Sequence, residues 1–364
     1  MTLLPHLKSR DGVRWDAVAL GEVMLRLDPG EGRIRTARQF QVWEGGGEYN
    51  VARGLARTFG QRATVVTALP RTDLGALVHE LIQAGGVSDS HIVWRAGDPV
   101  GRENRVGLNF TERGFGPRGA LGVSDRAHSA ASTLAPHDVD WDHLFGTEGV
   151  RWFHTGGIFS ALSATTAETA LAAVTAARRH GTVVSYDLNY RASLWAAHPD
   201  PDAARRTNRA IAEQVDVLIG DEYSLASCLG IETPESRSDA CDPRPMAAAA
   251  KRLAKELPNL RLLAGPMRDP VTASMNRWGA AAWADGKLVT LDPVAVDILD
   301  RVGGGDGFVS GLAFGLMDGR PLEEALALGH AHGALAMTTP GDNAMTSLEE
   351  VEALARGGSA AARR

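Results

Sequence analysis

The stretch Asp300–Gly311, which reads DRVGGGDGFVSG, decides how the rest of this sequence is interpreted. Three consecutive glycines (303–305) stand directly before Asp306, and apolar residues then recur at helical spacing. This periodicity predicts a helix from 306 to 317 with Asp306 in its first turn, entered through the glycines.

A glycine-rich helix entry is suited to binding an anion. The first turn of a helix exposes unpaired backbone N–H groups and the positive end of the helix dipole, and glycine lets a ligand approach that backbone closely. Phosphate fits such a site best. Because a carboxylate there would repel phosphate, Asp306 needs a function of its own, and the useful one is a general base that takes a proton from an attacking hydroxyl. The alternative is a plain helix start with an acidic first turn.

Several phosphate-binding signatures are excluded. The sequence has no G-x-x-x-x-G-K-[ST] loop, and the dinucleotide fingerprint fails because Phe308 and Asn50 stand where its third small residue belongs. The H-R-D and D-F-G triplets of eukaryotic protein kinases are also absent.

Composition limits the class of protein. The 364 residues are 44% hydrophobic, enough for one large α/β domain or two smaller ones. The net charge of −6, with dispersed Lys and Arg, argues against nucleic acid or an anionic membrane as the main partner. Two cysteines cannot form a disulfide framework, and neither a signal-peptide core nor a run of 18 apolar residues occurs. We therefore expect a soluble, cytoplasmic protein.

A second glycine-rich helix entry lies near the N-terminus, in the segment WEGGGEYN that contains Gly45–Gly47. Glu48 and Asn50 follow the glycines and are placed to face a ligand. A tight strand-to-helix turn without a ligand is the alternative interpretation.

Between and after these segments, strands alternate with helices, which predicts a largely parallel sheet covered on both faces. One predicted strand, 182–191, ends in Asp187, Asn189 and Arg191, at the edge of the sheet where ligands bind in open α/β folds. The predicted strands are 16–27, broken at 21–22, and 63–69, 91–94, 150–157, 182–191, 215–220, 261–265, 278–283 and 288–292. The predicted helices are 73–86, 165–181, 202–213, 221–229, 244–257, 306–317, 321–337 and 347–356.

Residues 98–128 differ in kind from their surroundings. They are polar, rich in Gly and Arg, and alternate with period two, which predicts a small β-rich insertion beside the main sheet that acts as a lid. A solvated surface hairpin is the alternative.

These segments together resemble the ribokinase/PfkB-type carbohydrate kinases. The late signature of that family is matched by Gly303–Asp306 with Phe308, and its early signature by Gly45-Gly46 through Asn50. Within the family the sequence is most similar to 2-keto-3-deoxygluconate kinases, over passages spread along almost its whole length.

The resemblance implies one ribokinase-like domain over 1–364, with lid segments at about 28–44 and 98–128 that often mediate homodimerisation. It also implies transfer of the ATP γ-phosphoryl to the terminal hydroxyl of a sugar acid, assisted by Mg²⁺. The residues that it places in catalysis are Asp306 as the base and Gly303, Gly304 and Gly305 as the anion hole. Those that it places at the substrate are Gly46, Gly47, Asn50, Asn109, Arg126, Arg191, Asp306 and Asp342. Those that it places at the nucleotide are Asn189, Gly265, Arg268, Gly303 and Gly305.

Four positions depart from the family pattern. Asn109 and Ser124 stand where aromatic residues are common, AGPMRDP follows the 261–265 strand, and DEYS at 221–224 leaves Glu222 as the metal-ligand candidate. A fructokinase, a 2-keto-3-deoxygalactonate kinase and a non-catalytic sugar-acid sensor therefore remain alternatives. A nicotinamide-dependent dehydrogenase is disfavoured by the failed fingerprints.

Overall fold

Two β-sheets organise the computed structural model, which describes residues 3–196, 198–231 and 239–358. The central sheet contains β1 (Trp15–Leu20), β4 (Ala63–Pro70), β5 (Ile92–Arg95), β8 (Val150–Gly156), β9 (Val183–Asp187), β10 (Val217–Ile219), β11 (Leu262–Thr272), β12 (Met275–Ala284) and β13 (Lys287–Asp297). The small sheet contains β2 (Met24–Asp28), β3 (Gln41–Gly45), β6 (Leu108–Glu112) and β7 (Leu121–Asp125).

The central sheet is parallel along most of its width. Its order is β13-β12-β11-β10-β9-β8-β1-β4-β5, and the pairs β11–β12 and β12–β13 are antiparallel. Strands β1 and β8 are buried along their whole length, as expected for parallel strands covered on both faces. The carboxyl ends of β1, β8, β9 and β10 therefore meet along one edge.

Helices cover both faces of this sheet. They are α1 (Gly47–Arg57), α2 (Asp73–Ala84), α3 (Gly157–Ser160), α4 (Ala164–Arg179), α5 (Ala192–Trp195), α6 (Ala203–Ala212), α7 (Glu222–Leu229), α8 (Arg244–Glu256), α9 (Gly304–Met317), α10 (Leu322–Ala336) and α11 (Leu348–Ala355). Side chains of α1, α2, α9 and α10 build the core on one face, and those of α4, α6, α7 and α8 build the other. The predicted α/β, ribokinase-like architecture is confirmed.

The small sheet has the order β3-β2-β6-β7, with β2 and β6 parallel and the outer pairs antiparallel. The small sheet confirms the predicted β-rich insertion. The predicted extent of one strand, 16–27, is wrong. The sequence predicts a broken strand over 16–27, but the chain changes sheets at the break, so β2 belongs to the small sheet. A run of apolar residues is compatible with either sheet, because local periodicity does not identify a strand's neighbours.

The hairpin at the other end of the central sheet is longer than predicted. The turn lies at Asp285-Gly286, where both residues have positive φ, but β11 continues to Thr272 instead of ending at residue 265. The segment AGPMRDP is therefore strand, held by its pairing with β12. In the described part of the chain, no helix is long and apolar enough to cross a membrane.

Candidate active site

A cleft of about 850 Å³ lies between the carboxyl edge of the central sheet and the small sheet. Both glycine-rich helix entries open into it, although they are far apart in the sequence. The residues expected at the site that line it are Gly46, Gly47, Asn50, Asn109, Arg126, Asn189, Arg191, Arg268, Gly303, Gly305, Asp306 and Asp342.

Asp306 lies in the first turn of α9, at the floor of the cleft. The side-chain amide of Asn50, in the first turn of α1, donates a hydrogen bond of 2.7 Å to Asp306 Oδ2. Asn50 Oδ1 has no hydrogen-bond partner among the described residues, although the side chain is buried. A buried acceptor beside the base is suited to a ligand hydroxyl, since an unpaired polar atom is costly.

The glycine turn before α9 is shaped by close backbone approach. Gly303 has a φ of +81°, and a Cβ there would lie 1.9 Å from the carbonyl oxygen of Asp342. Any side chain at 303 would therefore be strained and would clash. Gly305 has open space around its Cβ position. The turn thus exposes backbone at the start of α9, the arrangement that favours an anion.

Close backbone approach also determines the residue at Gly46, on the opposite wall of the cleft. A Cβ at Gly46 would lie 1.9 Å from the carbonyl oxygen of Glu22. The backbone of the α1 entry therefore packs directly on the segment that joins β1 to β2, and glycine is the residue that permits this contact.

Burial changes the ionisation of Asp306. It raises the pKa of Asp306 to about 6; the Asn50 hydrogen bond opposes this rise, the charge of Asp342 adds to it, and Arg191 opposes it. A carboxyl group in this range is ionised near neutral pH and remains basic enough to accept a proton.

The charge of Asp306 contributes to the raised pKa values of two further carboxyl groups. Burial and then the charge of Asp306 raise the pKa of Asp187 to about 7. Burial raises the pKa of Glu48 to about 7, with a further rise from Asp306 and a reduction from Arg126. Asp187 and Asp306 thus place two carboxyl groups in the cleft that a cation would stabilise, whereas Glu48 is buried and does not line the cleft.

The small sheet contributes one wall. Asn109 on β6 and Ser124 on β7 are cross-strand partners, and the Ser124 hydroxyl donates to Asn109 Oδ1 over 3.2 Å. The two departures from the family pattern thus form one polar pair facing the cleft.

Arg126 follows β7 and forms an ion pair with Glu22, which is buried at the exit from β1. Its Nε has no hydrogen-bond partner among the described residues. The guanidinium is therefore anchored on one side and keeps a donor for a ligand.

The end of β9 and the adjacent strands form the opposite wall. Asn189 and Arg191 come after the strand, which ends at Asp187, earlier than predicted. Arg191 is exposed and its charge lowers the pKa values of both Asp187 and Asp306. Arg268 lies on β11 on the same side of the cleft.

Three expected site residues lie outside the cleft lining. Gly304 faces Met337, the residue that follows α10, and a Cβ at Gly304 would lie 3.1 Å from Met337 Cγ. Gly265 packs against Gly220, and a Cβ at Gly265 would lie 2.6 Å from the Gly220 carbonyl oxygen. Glu222 begins α7 but does not line the cleft, whereas its neighbour Asp221 does. These three residues do not line the cleft, and their assigned roles stay predictions.

The DEYS segment has a structural role that its sequence suggests. Asp221 caps α7 by accepting the backbone N–H of Ser224 over 2.9 Å, and the backbone N–H of Asp221 donates to the Ser224 hydroxyl over 3.0 Å. This is a capping box.

Sequence reasoning missed several residues of the site. Glu22 and Arg26 lie in the predicted strand 16–27 and are not among the predicted site residues. A charged residue inside an apolar run nevertheless indicates an internal charge with a partner. Tyr190 and Tyr223 line the cleft with their rings 5.7 Å apart, and nothing in their local sequence indicated this contact.

Two carboxyl groups of the cleft fit a phosphate-bound Mg²⁺. Asp187 and Asp221 both line the cleft, and the charge of Asp221 contributes to the raised pKa of Asp187. The described residues contain no cluster of three His, Cys, Asp or Glu that could hold a metal ion by themselves. One or two carboxylates combined with substrate phosphates are the usual protein contribution to Mg²⁺ binding.

Comparisons with known proteins agree with this geometry. The model of the pfkB family carbohydrate kinases matches residues 16–349. The chain is 33% identical to a 2-dehydro-3-deoxygalactonokinase of Haloferax volcanii, over 95% of this chain and 98% of that one. It is 30% identical to a 2-dehydro-3-deoxygluconokinase of Bacillus subtilis, over 91% and 92%.

A solved structure, the 2-dehydro-3-deoxygluconokinase of Thermotoga maritima, superposes with a TM-score of 0.85 at 33% identity, covering 94% of this chain and 99% of that one. The extent of these matches confirms the resemblance seen in the sequence. The chain belongs to the pfkB family of carbohydrate kinases.

Proposed function

We propose that this sugar kinase phosphorylates the terminal, C6 hydroxyl of 2-keto-3-deoxygluconate, the compound that its relatives' names call 2-dehydro-3-deoxygluconate, with ATP as the donor. One observation carries the proposal: a half-buried carboxyl base, Asp306, lies at a glycine-rich helix entry in the same cleft as Arg126 and Arg191. That combination suits phosphoryl transfer to a substrate that is itself an acid.

Asp306 accepts the proton of the substrate hydroxyl as that oxygen attacks the γ-phosphorus. The hydrogen bond from Asn50 keeps the carboxylate in place and favours its ionised form. The exposed backbone N–H groups at Gly303 and Gly305 face the charge that develops on the phosphoryl oxygens.

Arg126 and Arg191 recognise the carboxylate of the sugar acid. Guanidinium groups bind carboxylates through paired N–H donors, which gives orientation as well as charge. Asn50, Gly46 and Gly47 hold hydroxyls on the α1 side, and Asp342 limits the cleft near the glycine turn.

Asn189 and Arg268 contact the phosphates of ATP on the other side. Asp187 and Asp221 would hold Mg²⁺ there, which when bound offsets negative charge between the β- and γ-phosphates. The raised pKa of Asp187 supports a cation at this place, because a neighbouring positive charge favours its ionised form.

A 2-keto-3-deoxygalactonate kinase is the second candidate, favoured by the Asn109–Ser124 pair. An amide and a hydroxyl there offer hydrogen bonds to a sugar hydroxyl at a wall where ring stacking is otherwise common. The two acids differ in the orientation of one hydroxyl, so this polar pair is the place for discrimination. One relative of each specificity covers nearly the whole chain.

ADP release with Mg·ATP tests these alternatives, using both acids alongside fructose and ribose, with Asp306→Asn as the control. Turnover on one of the acids that is lost in the variant supports the proposal and identifies the substrate. Turnover only on a neutral sugar would mean that the arginines are assigned to the wrong ligand. Release no higher than in the control would favour a sugar-acid sensor.

We also propose a cytoplasmic homodimer formed through the small sheet. The apolar side chains Val42 on β3 and Leu121 and Val123 on β7 are exposed by 40 to 43%. Apolar side chains on a sheet edge are suited to a second copy of the chain. Light scattering of the wild type and of Val123→Lys measures this, and an unchanged mass in the variant would contradict it.

A further inference from the structure

Arg26 on β2 is a fully buried cation, with 0% of its side chain exposed. Its Nη2 lies 2.5 Å from Asp300 Oδ2, and its Nη1 lies 2.6 Å from Asp342 Oδ1. Asp28 on the same strand is 3.6 Å away. The acceptors at both Nη atoms offset much of the cost of burying the charge, whereas Nε has no hydrogen-bond partner among the described residues.

Arg26 pairs with Asp300 and Asp342, which belong to the two loop segments beside the glycine turn. Asp300 begins the stretch that leads into α9, and it accepts the backbone N–H of Gly341 over 3.2 Å. Asp342 presents its carbonyl oxygen to Gly303, where the backbone approaches too closely for any side chain. One side chain of the small sheet therefore joins the two segments that shape the anion hole.

Arg26 also influences the ionisation of Asp306, through Asp342. The charge of Asp342 raises the pKa of Asp306, and Arg26 opposes a rise in the pKa of Asp342 itself. The other groups that act on Asp306 are Asn50 from α1 and Arg191 beyond β9, while Asp187 and Glu48 respond to its charge.

We propose that Arg26 is a positioning residue for phosphoryl transfer, which fixes the small sheet to the glycine turn through Asp300 and Asp342 and sets the charge that Asp342 presents to Asp306. This inference rests on the proposed role of Asp306 as the base. Arg26 acts through Asp342 and does not line the cleft.

Arg113 provides a matched control. It donates to Asp28 through Nε and Nη2 at 2.9 and 2.7 Å, and its Nε lies 3.6 Å from Asp300. It thus belongs to the same charge cluster, but no bond to Asp342 is present in the described residues. Loss of Arg113 disturbs the cluster without removing the partner of Asp342.

The experiment compares Arg26→Gln, Arg26→Lys, Arg113→Gln, Asp342→Asn and the double variant Arg26→Gln/Asp342→Asn. For each, the pH profile of kcat is measured with the best substrate, thermal unfolding reports folding, and carboxyl ¹³C NMR follows Asp306, assigned by comparison with Asp306→Asn. The NMR titration needs no turnover.

In Arg26→Gln we expect the Asp306 titration and the acid limb of kcat to move down by about one pH unit, because Asp342 without its cation is protonated and its charge no longer raises the pKa of Asp306. Arg26→Lys keeps the charge, so its midpoint stays near the wild type while kcat falls, since one ammonium cannot bridge two carboxylates as a guanidinium does. Arg113→Gln leaves the midpoint unchanged. If Arg26→Gln does not fold, the double variant is compared with Asp342→Asn: both lack the charge of Asp342, so their Asp306 midpoints should be equal and should lie below that of the wild type.

Equal midpoints in wild type and Arg26→Gln, or an equal shift in Arg113→Gln, would overturn the inference, as would different midpoints in Asp342→Asn and the double variant. A wild type that phosphorylates no sugar would defeat the proposed function instead, and the NMR titration would still decide whether Arg26 influences Asp306.

Discussion

The side-chain amide of Asn50 donates a 2.7 Å hydrogen bond to Asp306, and this bond joins two helix entries that are 256 residues apart in the chain. Each entry is led by three glycines, and each places a polar side chain in its first turn. The bond orients the carboxylate and favours its ionised form. The two sequence signatures of the family therefore meet in a single contact.

Replacing Asp306 with Asn should abolish most of the turnover. The amide cannot accept the proton of the substrate hydroxyl, and general base catalysis typically contributes about 10²- to 10⁴-fold. Steady-state ADP release measures kcat, and thermal unfolding verifies that the variant folds. A variant that keeps more than about a tenth of wild-type kcat would contradict the role of Asp306 as the base.

The pH dependence of kcat/KM should show an acid limb near the pKa of Asp306, about 6. The base works when it is deprotonated, so activity rises as pH increases through this value. Asn50→Ala removes a hydrogen bond that lowers this pKa, and its acid limb should lie at higher pH. Identical limbs in the two proteins would show that the hydrogen bond does not reach the reacting carboxyl.

Gly303→Ala and Gly305→Ala should have opposite effects on folding. At 303 a methyl group would clash with the Asp342 carbonyl at a positive φ, so the free energy of unfolding should fall by several kcal/mol, of the order seen for strained backbone. At 305 the space is open and the residue is helical, so stability should stay the same or rise by up to about 1 kcal/mol. Chemical denaturation measures both.

Catalysis should nevertheless suffer in Gly305→Ala, because the methyl group enters the space where the phosphate approaches the backbone. We expect lower kcat in a protein that is at least as stable as the wild type. Full activity in that variant would mean that the phosphate does not use this part of the turn.

Arg126→Gln should raise KM for the sugar acid by roughly ten- to a hundredfold, the loss of one charge-assisted interaction. A neutral sugar, if it is turned over at all, should show no such change. Arg105→Gln serves as the control, since Arg105 belongs to the same region, pairs with Asp125 and does not line the cleft. An equal rise in KM for the control would indicate a general disturbance of the small sheet.

Glu48→Gln should stabilise the protein at high pH. Burial raises the pKa of Glu48 to about 7, so between about pH 4.5 and 7 the folded state keeps a proton that the unfolded state loses. Its contribution to stability is therefore greatest at low pH and falls as pH rises through this window. The advantage of the variant over wild type should grow by an amount on the order of 3 kcal/mol from pH 4.5 to pH 8. Denaturation at both pH values measures it, with the exposed Glu80→Gln as the control.

The sequence by itself determined the alternation of strands and helices, both glycine-rich helix entries, and Asp306 as the residue to test. These features are local: hydrophobic periodicity, capping and glycine conformation depend on residues a few positions apart. For the same reason the helices were placed to within a few residues, and the turn at Asp285-Gly286 was located.

Only the tertiary structure decided which charges are buried and which side of each turn faces the ligand. The Arg26 bonds to Asp300 and Asp342 join residues 274 and 316 positions apart, and no local pattern encodes such a pairing. Glu222 and Asp221 are adjacent in sequence, yet only Asp221 lines the cleft, because the capping of α7 sets the direction of the chain there. The partners of a buried charge are chosen by packing, and packing is a property of the whole fold.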